Sequence, residues 1–312
     1  MREDFPKTLL ELEQWFGTEE ACRQYLSQLR WPNGFVCPFC RGKGGWLDRR
    51  HRWTCQACRR QTTVTAGTIF EGTHLPLRVW FRAAWLVTSQ KSGASALGVQ
   101  RVLGLGSYET AWSWLHKLRR AMVRPGRERL HGAVEVDETL IGGPTPGAAG
   151  RALEGKALVG IAAEVDGKGI GRIRLGQIAD ASTPSLHGFI RQTITPGSTV
   201  RTDGWPSYQG LEKLGYVHVA TSLMGKGKLA ALEVLPRVHR VTALLKRWLL
   251  GTHQGAVSSD HLDYYLDEFT FRFNRRHSAS RGKLFFRLLE QAVQVGPVTR
   301  GAIIQQGAHH QE

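Results

Sequence analysis

Four of the five cysteines stand in two pairs, Cys37-x2-Cys40 and Cys55-x2-Cys58, with fourteen residues between the pairs. Each CxxC turn presents two sulfurs to one ion, and four thiolates satisfy Zn2+ tetrahedrally. The spacing predicts a zinc ribbon with a structural Zn2+, since a closed four-Cys site keeps no open position for chemistry. Core cysteines without metal would need apolar neighbours, and Pro38, Gln56 and the flanking arginines are poor ones. A redox dithiol needs one pair, not two. His51, inside the ribbon loop, reads as a surface residue.

Two aspartates form a second candidate centre. Asp137 closes VEVD and Asp203 closes VRTD. Each follows a short apolar strand signal and precedes a turn, which places each carboxylate at a strand end. Two carboxylates on neighbouring strands can share divalent cations, as two-metal phosphoryl transfer requires. The same position also suits a plain Asx-type cap. A third partner should come from a helix beyond Asp203. His239 lies in LPRVHRVTALLKRW with Lys246 seven residues on, two turns along the same face. A lone His on an apolar helix is also commonly a core or surface residue. Glu268, in YLDEF, is the other candidate, although an ion pair with Arg272 at i+4 accounts for it equally well.

The elements that must position these groups follow from local signals. Thr18 before Glu19 and Glu20 predicts a helix N-cap with acids in the first turn. Cys22, Tyr25, Leu26 and Leu29 then fall at helical spacing, so residues 1–36 read as a helical segment with Cys22 in its core. Residues 37–74 hold the ribbon. Residues 75–130 carry three helical signals, the last two joined by Gly104-Leu105-Gly106-Ser107 in a helix-turn-helix outline. Tyr108 to Met122 would be its recognition helix, with Lys117, Arg119 and Arg120 on DNA. A helical module that merely joins two domains would look the same.

Arg124-Pro125-Gly126 marks a boundary. From 131 to 295 the signals mix strand and helix. KALVGIAAEVDGKGIGRIRLGQI reads as two strands on an Asp-Gly turn, STPSLHGFIRQTI as a helix, and LPRVHRVTALLKRWLLGT and DHLDYYLDEFTFRFNRR as two more. PTPGAAGRALEG reads as a flexible loop, and residues 296–312 as a frayed tail.

Charge indicates the partner. Lys plus Arg number 42 against 26 Asp plus Glu, a net charge of +16. Between Cys37 and Leu130, 17 basic residues face 4 acids, so most of the excess lies in under a third of the chain. That concentration favours a nucleic-acid-binding front half over a solvated basic surface. No apolar run approaches the ~18–20 residues of a membrane span. The acids in MREDFPKTLLELEQWF are wrong for a signal peptide. The expected setting is cytoplasmic and nucleoid-associated, with no membrane partner.

Taken together, CPFC…CQAC, VEVDETLIGG, RTDGWPSYQGLEKLGY, VHRVTALLKRWLLGTHQG and HLDYYLDEFTFRFNRR carry a resemblance from Phe5 to Glu290. The chain resembles bacterial insertion-sequence transposases with an N-terminal zinc ribbon and an ISXO-type DDE-like catalytic domain. The resemblance implies an α/β catalytic domain of ribonuclease-H-like fold over 131–295, a mixed sheet flanked by helices. A small zinc ribbon and a helix-turn-helix-like segment precede it. Asp137, Asp203 and the residue at His239 are implied to hold two Mg2+ or Mn2+ ions, with Lys246 accompanying the third ligand. Many relatives have Glu or Asn where this chain has His239. A neutral imidazole removes one negative charge and favours Mn2+ over Mg2+. It leaves open whether Glu138 or Glu268 supplies the missing charge.

The implied reaction is metal-dependent cleavage at element ends, freeing a 3′-OH, followed by strand transfer into target DNA. Lys246, Arg247, Arg275 and Arg276 would hold phosphates, largely without regard to sequence. The partner is double-stranded DNA, both terminal inverted repeats and target. Joining two ends implies a homo-oligomer, at least a dimer, in the active complex. Two other readings stand beside this one. A non-enzymatic zinc-ribbon transcription regulator leaves the strand-end aspartates unexplained. A metal-dependent nuclease or resolvase would hydrolyse without joining.

Overall fold

The computed structural model describes residues 4–124, 126–142, 156–221, 234–255 and 257–305, and the chain divides into two units. One comprises residues 1–124 with 277–305, and the other residues 125–276. The Gly/Pro/Ala-rich loop expected after Gly143 lies outside the described residues.

The first unit opens with α1 (Leu9–Trp15) and α2 (Glu19–Arg30). Thr18 caps α2 as expected, its Oγ1 accepting the Ala21 N–H at 3.2 Å. Cys22, Leu26 and Leu29 form the buried stripe of α2. Burial pushes the Cys22 thiol up to about 12, which fits an inert core residue. The ribbon follows as a three-stranded antiparallel sheet of β1 (Gly45–Leu47), β2 (Trp53–Cys55) and β3 (Gln61–Thr62). Three helices come next: α3 (Leu77–Ser89), α4 (Ala96–Leu103) and α5 (Tyr108–Arg120). The α4–α5 turn has the predicted chemistry. Gly104 ends α4 in the left-handed conformation at φ 63°, and Ser107 caps α5 by accepting the Thr110 N–H.

The second unit is built on a five-stranded mixed sheet in the order β6-β5-β4-β7-β8. β4 (Ala133–Ile141), β5 (Ala157–Asp166) and β6 (Gly169–Ile178) pair antiparallel in succession, the last two turning at Asp166-Gly167 as predicted. β7 (Thr199–Thr202) pairs parallel with the other edge of β4, and β8 (Val217–Ala220) parallel with β7. Successive residues of a strand face opposite ways, so β4 supplies two cores. Val134 and Val136 pack with Leu186, Phe189 and Ile190 of α6 (Thr183–Thr193) and with Tyr208. The other face is covered by α7 (Pro236–His253) and α8 (Leu262–Asn274). Val238, Val241, Leu245 and Leu249 recur at helical spacing along α7 and bury against Ile161, Ala163 and Ile173.

Two boundaries differ from the sequence reading. Residues 126–130, expected in the helical segment, join the sheet unit: the Leu130 N–H donates to Thr193 O at 2.8 Å and the Thr195 N–H to Leu130 O at 2.8 Å. At the other end, the sheet unit ends at Arg276, where the expected domain runs to 295. The following α9 (Arg281–Ala292) is amphipathic and inserts Phe285 among Phe16, Phe81 and Trp85, at ring-centroid distances of 5.7–6.0 Å. The expected tail also contains α10 (Arg300–Gln305) before the described residues end. Among the described residues no helix is long and apolar enough to cross a membrane.

Candidate functional site

The four ribbon sulfurs converge. Cys37 Sγ lies 3.7 Å from Cys58 Sγ, Cys40 Sγ lies 3.7 Å from Cys55 Sγ, and all four fall within 4.8 Å of one another. A tetrahedron with Zn–S bonds of about 2.3 Å has edges of about 3.8 Å, so the donor set fits Zn2+. The Cys58 and Ala57 N–H groups point at Cys55 Sγ and draw that thiol down to about 7, favouring the thiolate a metal needs. Phe35 and Trp53 stack behind the cluster at 4.9 Å and shield it from one side.

The aspartates meet for a reason other than the one expected. Asp203 does follow directly on β7, but Asp137 does not end a strand. β4 continues to Ile141, paired with Ala157 of β5. It is the neighbour that stops. β7 pairs with β4 through Ala133–Thr199, Val134–Val200 and Glu135–Arg201, and the same register carried two residues further brings Asp203 level with Asp137. Both carboxylates therefore sit where the parallel pairing opens. Asp203 Oδ1 also accepts the Trp205 N–H at 3.0 Å, an Asx turn. Asp137 Oδ1 accepts the Glu138 N–H at 2.9 Å. Burial first, then the charges of Glu138 and Asp203, push the Asp137 carboxyl up to about 7. Such a site holds more negative charge than its surroundings balance.

His239 joins this pair from α7. Its Nδ1 lies 3.8 Å from Asp137 Oδ2, too long for a hydrogen bond and close to the span of two bonds of about 2.1 Å to one cation. Its Nε2 is buried and has no hydrogen-bond partner among the described residues. Two carboxylates and an imidazole with unfilled capacity suit a hard or borderline divalent cation. The three groups are looser than the cysteines, since their donor atoms do not all fall within 4.8 Å of one another.

What holds α7 in place escaped the sequence reading. Glu135 is two residues before Asp137 and faces the same side of β4; it is 1 % exposed. Its Oε2 accepts the Arg237 N–H at 2.7 Å and the Val238 N–H at 3.1 Å, and its Oε1 accepts from Arg237 Nη1 at 2.9 Å. The helix has Leu235 at its N-cap, which offers no side-chain acceptor, and Pro236 at its first position, which has no N–H. That missing cap is the signal that a distant carboxylate must supply it.

The two alternatives to His239 differ in their relation to Asp137: Glu138 is its strand neighbour and acts on it by charge, whereas Glu268 is not among the charges that act on it. Glu138 follows Asp137 on the strand and turns to the opposite face, where the hydroxyl of fully buried Tyr208 donates to its Oε2 at 2.7 Å. Glu268 is buried within α8, and the charges that act on Asp137 come from Glu138 and Asp203.

The expected DNA-contact residues separate into two groups. Lys246 and Arg247 are exposed on α7, and Arg240, which the sequence reading did not single out, lies exposed on the same stripe. Arg276 is corrected to a structural clamp. Its guanidinium donates to the carbonyls of Ile170, Gly171 and Phe273 and lies 4.1 Å from the Phe273 ring centroid. Arg275 likewise folds back onto its own helix, 4.0 Å from the Phe271 ring centroid with Nη1 on Phe271 O. In the first unit Arg119 is 1 % exposed, so the phosphate contact expected of it falls away. Lys117 and Arg120 are half-buried. Trp114 stacks on Trp80 at 3.8 Å, and α5 buries Ala111, Leu115 and Leu118 as well. The helix thus gives one face to packing, while Tyr108 and Glu109 at its start stay exposed.

Comparison with known proteins gives two matched stretches. Residues 129–274 match the ISXO2-like transposase domain, and residues 17–61 match the transposase zinc-ribbon domain. An uncharacterized protein in transposable element ISH50 of Halobacterium salinarum is 26 % identical over 276 residues, which covers 82 % of this chain and 91 % of that protein.

Proposed function

We propose, for a chain that carries an ISXO2-like transposase domain behind a transposase zinc ribbon, that it cuts DNA at the ends of its element and joins the freed 3′-OH to target DNA. The observation that carries the reading is His239 Nδ1 3.8 Å from Asp137 Oδ2, with Asp203 just past the end of the β4–β7 pairing and close enough for its charge to act on Asp137. The sheet supports a ribonuclease-H-like fold: three antiparallel strands, then two parallel ones added to the first, with the candidate carboxylate on the central strand β4.

Asp137, Asp203 and His239 would hold Mg2+ or Mn2+. When bound, such cations lower the pKa of a coordinated water and neutralise charge that builds on a phosphodiester in line with its nucleophile. The chain's own residues do the rest. Asp137 presents its oxygens from the central strand and Asp203 from a hydrogen-bonded turn directly after β7, so little reorganisation is needed on reaction. Lys246, Arg247 and Arg240 line the exposed stripe of α7 beyond His239 and would hold the phosphate backbone. The ribbon would bind the element ends. Joining two ends calls for at least two copies of the chain.

The test is incubation with the flanking inverted repeats and Mn2+ or Mg2+, followed by sequencing of the products. Wild type should yield joined products. Asp137→Ala and Asp203→Ala should yield neither cuts nor joints while binding ends as wild type does. Wild-type cleavage by either variant would overturn the assignment. Nicks without joints would favour a nuclease, and binding without any cut a regulator.

A further inference from the structure

The two zinc knuckles share an unusual feature. In each, the residue after the second cysteine closes the turn: the Arg41 N–H donates to Cys37 O at 3.0 Å, and the Arg59 N–H to Cys55 O at 3.1 Å. The turn then returns to its first cysteine, Cys37 N–H to Gly42 O at 2.9 Å and Cys55 N–H to Arg60 O at 3.0 Å. This geometry forces a left-handed backbone, with φ 61° at Arg41 and 62° at Arg59. A side chain is costly there and glycine is not. The chain has 36 glycines and mostly uses them at such positions, Gly104, Gly210 and Gly215 among them; among the described residues His51 and Gln254 are the other two exceptions. At both equivalent knuckle positions it has arginine instead. Strain of this kind persists where a side chain is needed at that point.

The surroundings indicate what the need is. Arg41, Lys43, Arg59 and Arg60 are all exposed, and among the described residues none of them makes an ion pair of 4.0 Å or less. Arg59 lies 5.3 Å from the centroid of Trp46, and Arg60 lies 5.3 Å from that of Phe39. Trp46 is 46 % exposed and Phe39 53 % exposed. A ring under each guanidinium restrains it while leaving its N–H donors to solvent. The result is four exposed cations without an ion pair among the described residues: Arg59 and Arg60 are restrained by rings, and Arg41 and Arg59 by the left-handed turns that close the two knuckles. Planar, forked donors in this setting suit phosphate oxygens.

We infer that Arg41 and Arg59, with Arg60 and Lys43 beside them, form a grip on the phosphate backbone of duplex DNA, and that the zinc knuckles exist to hold it. The inference rests on the DNA-acting reading above and names the residues by which the ribbon would hold the duplex.

The test uses zinc-loaded full-length protein and compares wild type with the double variant Arg41→Gly/Arg59→Gly. Glycine relieves the backbone, so zinc content should be unchanged and the thermal midpoint equal to or above wild type. Affinity for a short inverted-repeat duplex should nevertheless fall at least about tenfold. The slope of log affinity against log salt should flatten by about two, near 0.9 for each lost phosphate contact. Arg41→Lys/Arg59→Lys, which keeps the charges but not the forked donors, should restore the salt slope and only part of the affinity. Unchanged affinity and slope in the glycine variant, with wild type binding DNA, would overturn this grip alone. A wild type that binds no duplex even at low salt would overturn the DNA reading and the grip together.

Discussion

Glu135 accepts the backbone N–H of Val238, and this contact at 3.1 Å ties the strand that carries Asp137 to the first turn of the helix that carries His239. The carboxylate also takes the Arg237 N–H and pairs with its guanidinium, whose other donors hold Gly167 O and Gly169 O at the β5–β6 turn. One acid on one face of β4 thus sets both the height of α7 and the closure of the hairpin beside it. Glu135→Ala would leave two helix N–H groups uncapped and a largely buried guanidinium unpaired. The expected cost is about 3–5 kcal/mol in urea unfolding. Glu135→Gln keeps an acceptor and should lose about 1–2 kcal/mol. A loss below about 1 kcal/mol in the alanine variant would show that α7 is held by its apolar face alone.

Asp137 makes a pH-dependent contribution of definite sign. Its carboxyl is raised from 3.8 to about 7, so the folded chain holds this proton more tightly than the unfolded chain. Stability from this group is present below about pH 4 and is lost as the pH rises towards 7. Asp137→Asn removes the liability. With chelator present at pH 8, the variant should be more stable than wild type by on the order of 2 kcal/mol, a rise of about 4–8 °C in the midpoint. At pH 4 the difference should vanish. Scanning calorimetry at the two pH values checks this, and a variant less stable at pH 8 would contradict it.

The sequence made some of this architecture legible and hid the rest for physical reasons. Cys37, Cys40, Cys55 and Cys58 were readable because a metal knuckle is a local motif whose spacing fixes its geometry. Thr18 and Ser107 were readable because a cap lies within three residues of what it caps. The strand-end expectation failed for Asp137 because a strand ends relative to its partners, and the partner here begins at Thr199, far away in the chain. Glu135 was invisible for the same reason, as the N–H groups it caps are 102 and 103 residues away. Arg119 and Arg276 misled because a basic residue late in a helix or just beyond one reads alike whether it ends in solvent, in the core as Arg119 does, or on carbonyls as Arg276 does.

Removal of one zinc ligand should act on the ribbon as a whole. Its strands are only two or three residues long, and its core beyond the cysteines rests on Trp31, Phe35 and Trp53. Structural zinc in comparable small folds is worth about 10–16 kcal/mol, more than so small a core can supply. Cys55→Ser should bind less than one zinc per chain, lose the near-ultraviolet circular dichroism of the stacked Trp53, and bind duplex DNA more weakly. Full DNA affinity in a zinc-free variant would remove the ribbon from the binding surface.

Arg247 and Arg276 separate a phosphate contact from a clamp. Both are basic and both lie in or just beyond the helices over the same sheet face, so charge alone predicts that either change weakens DNA binding equally. Their hydrogen bonds predict otherwise. Arg276 donates to Ile170, Gly171 and Phe273, so Arg276→Ala should cost about 1–3 kcal/mol of stability through unsatisfied carbonyls and lost packing, with the salt dependence of DNA binding unchanged. Arg247 is exposed on α7, and Arg247→Ala should leave stability within about 0.5 kcal/mol. Its salt slope should flatten by about one. Measuring unfolding and salt-dependent binding on both variants decides the matter, and a flattened slope for Arg276→Ala would return that residue to the DNA surface.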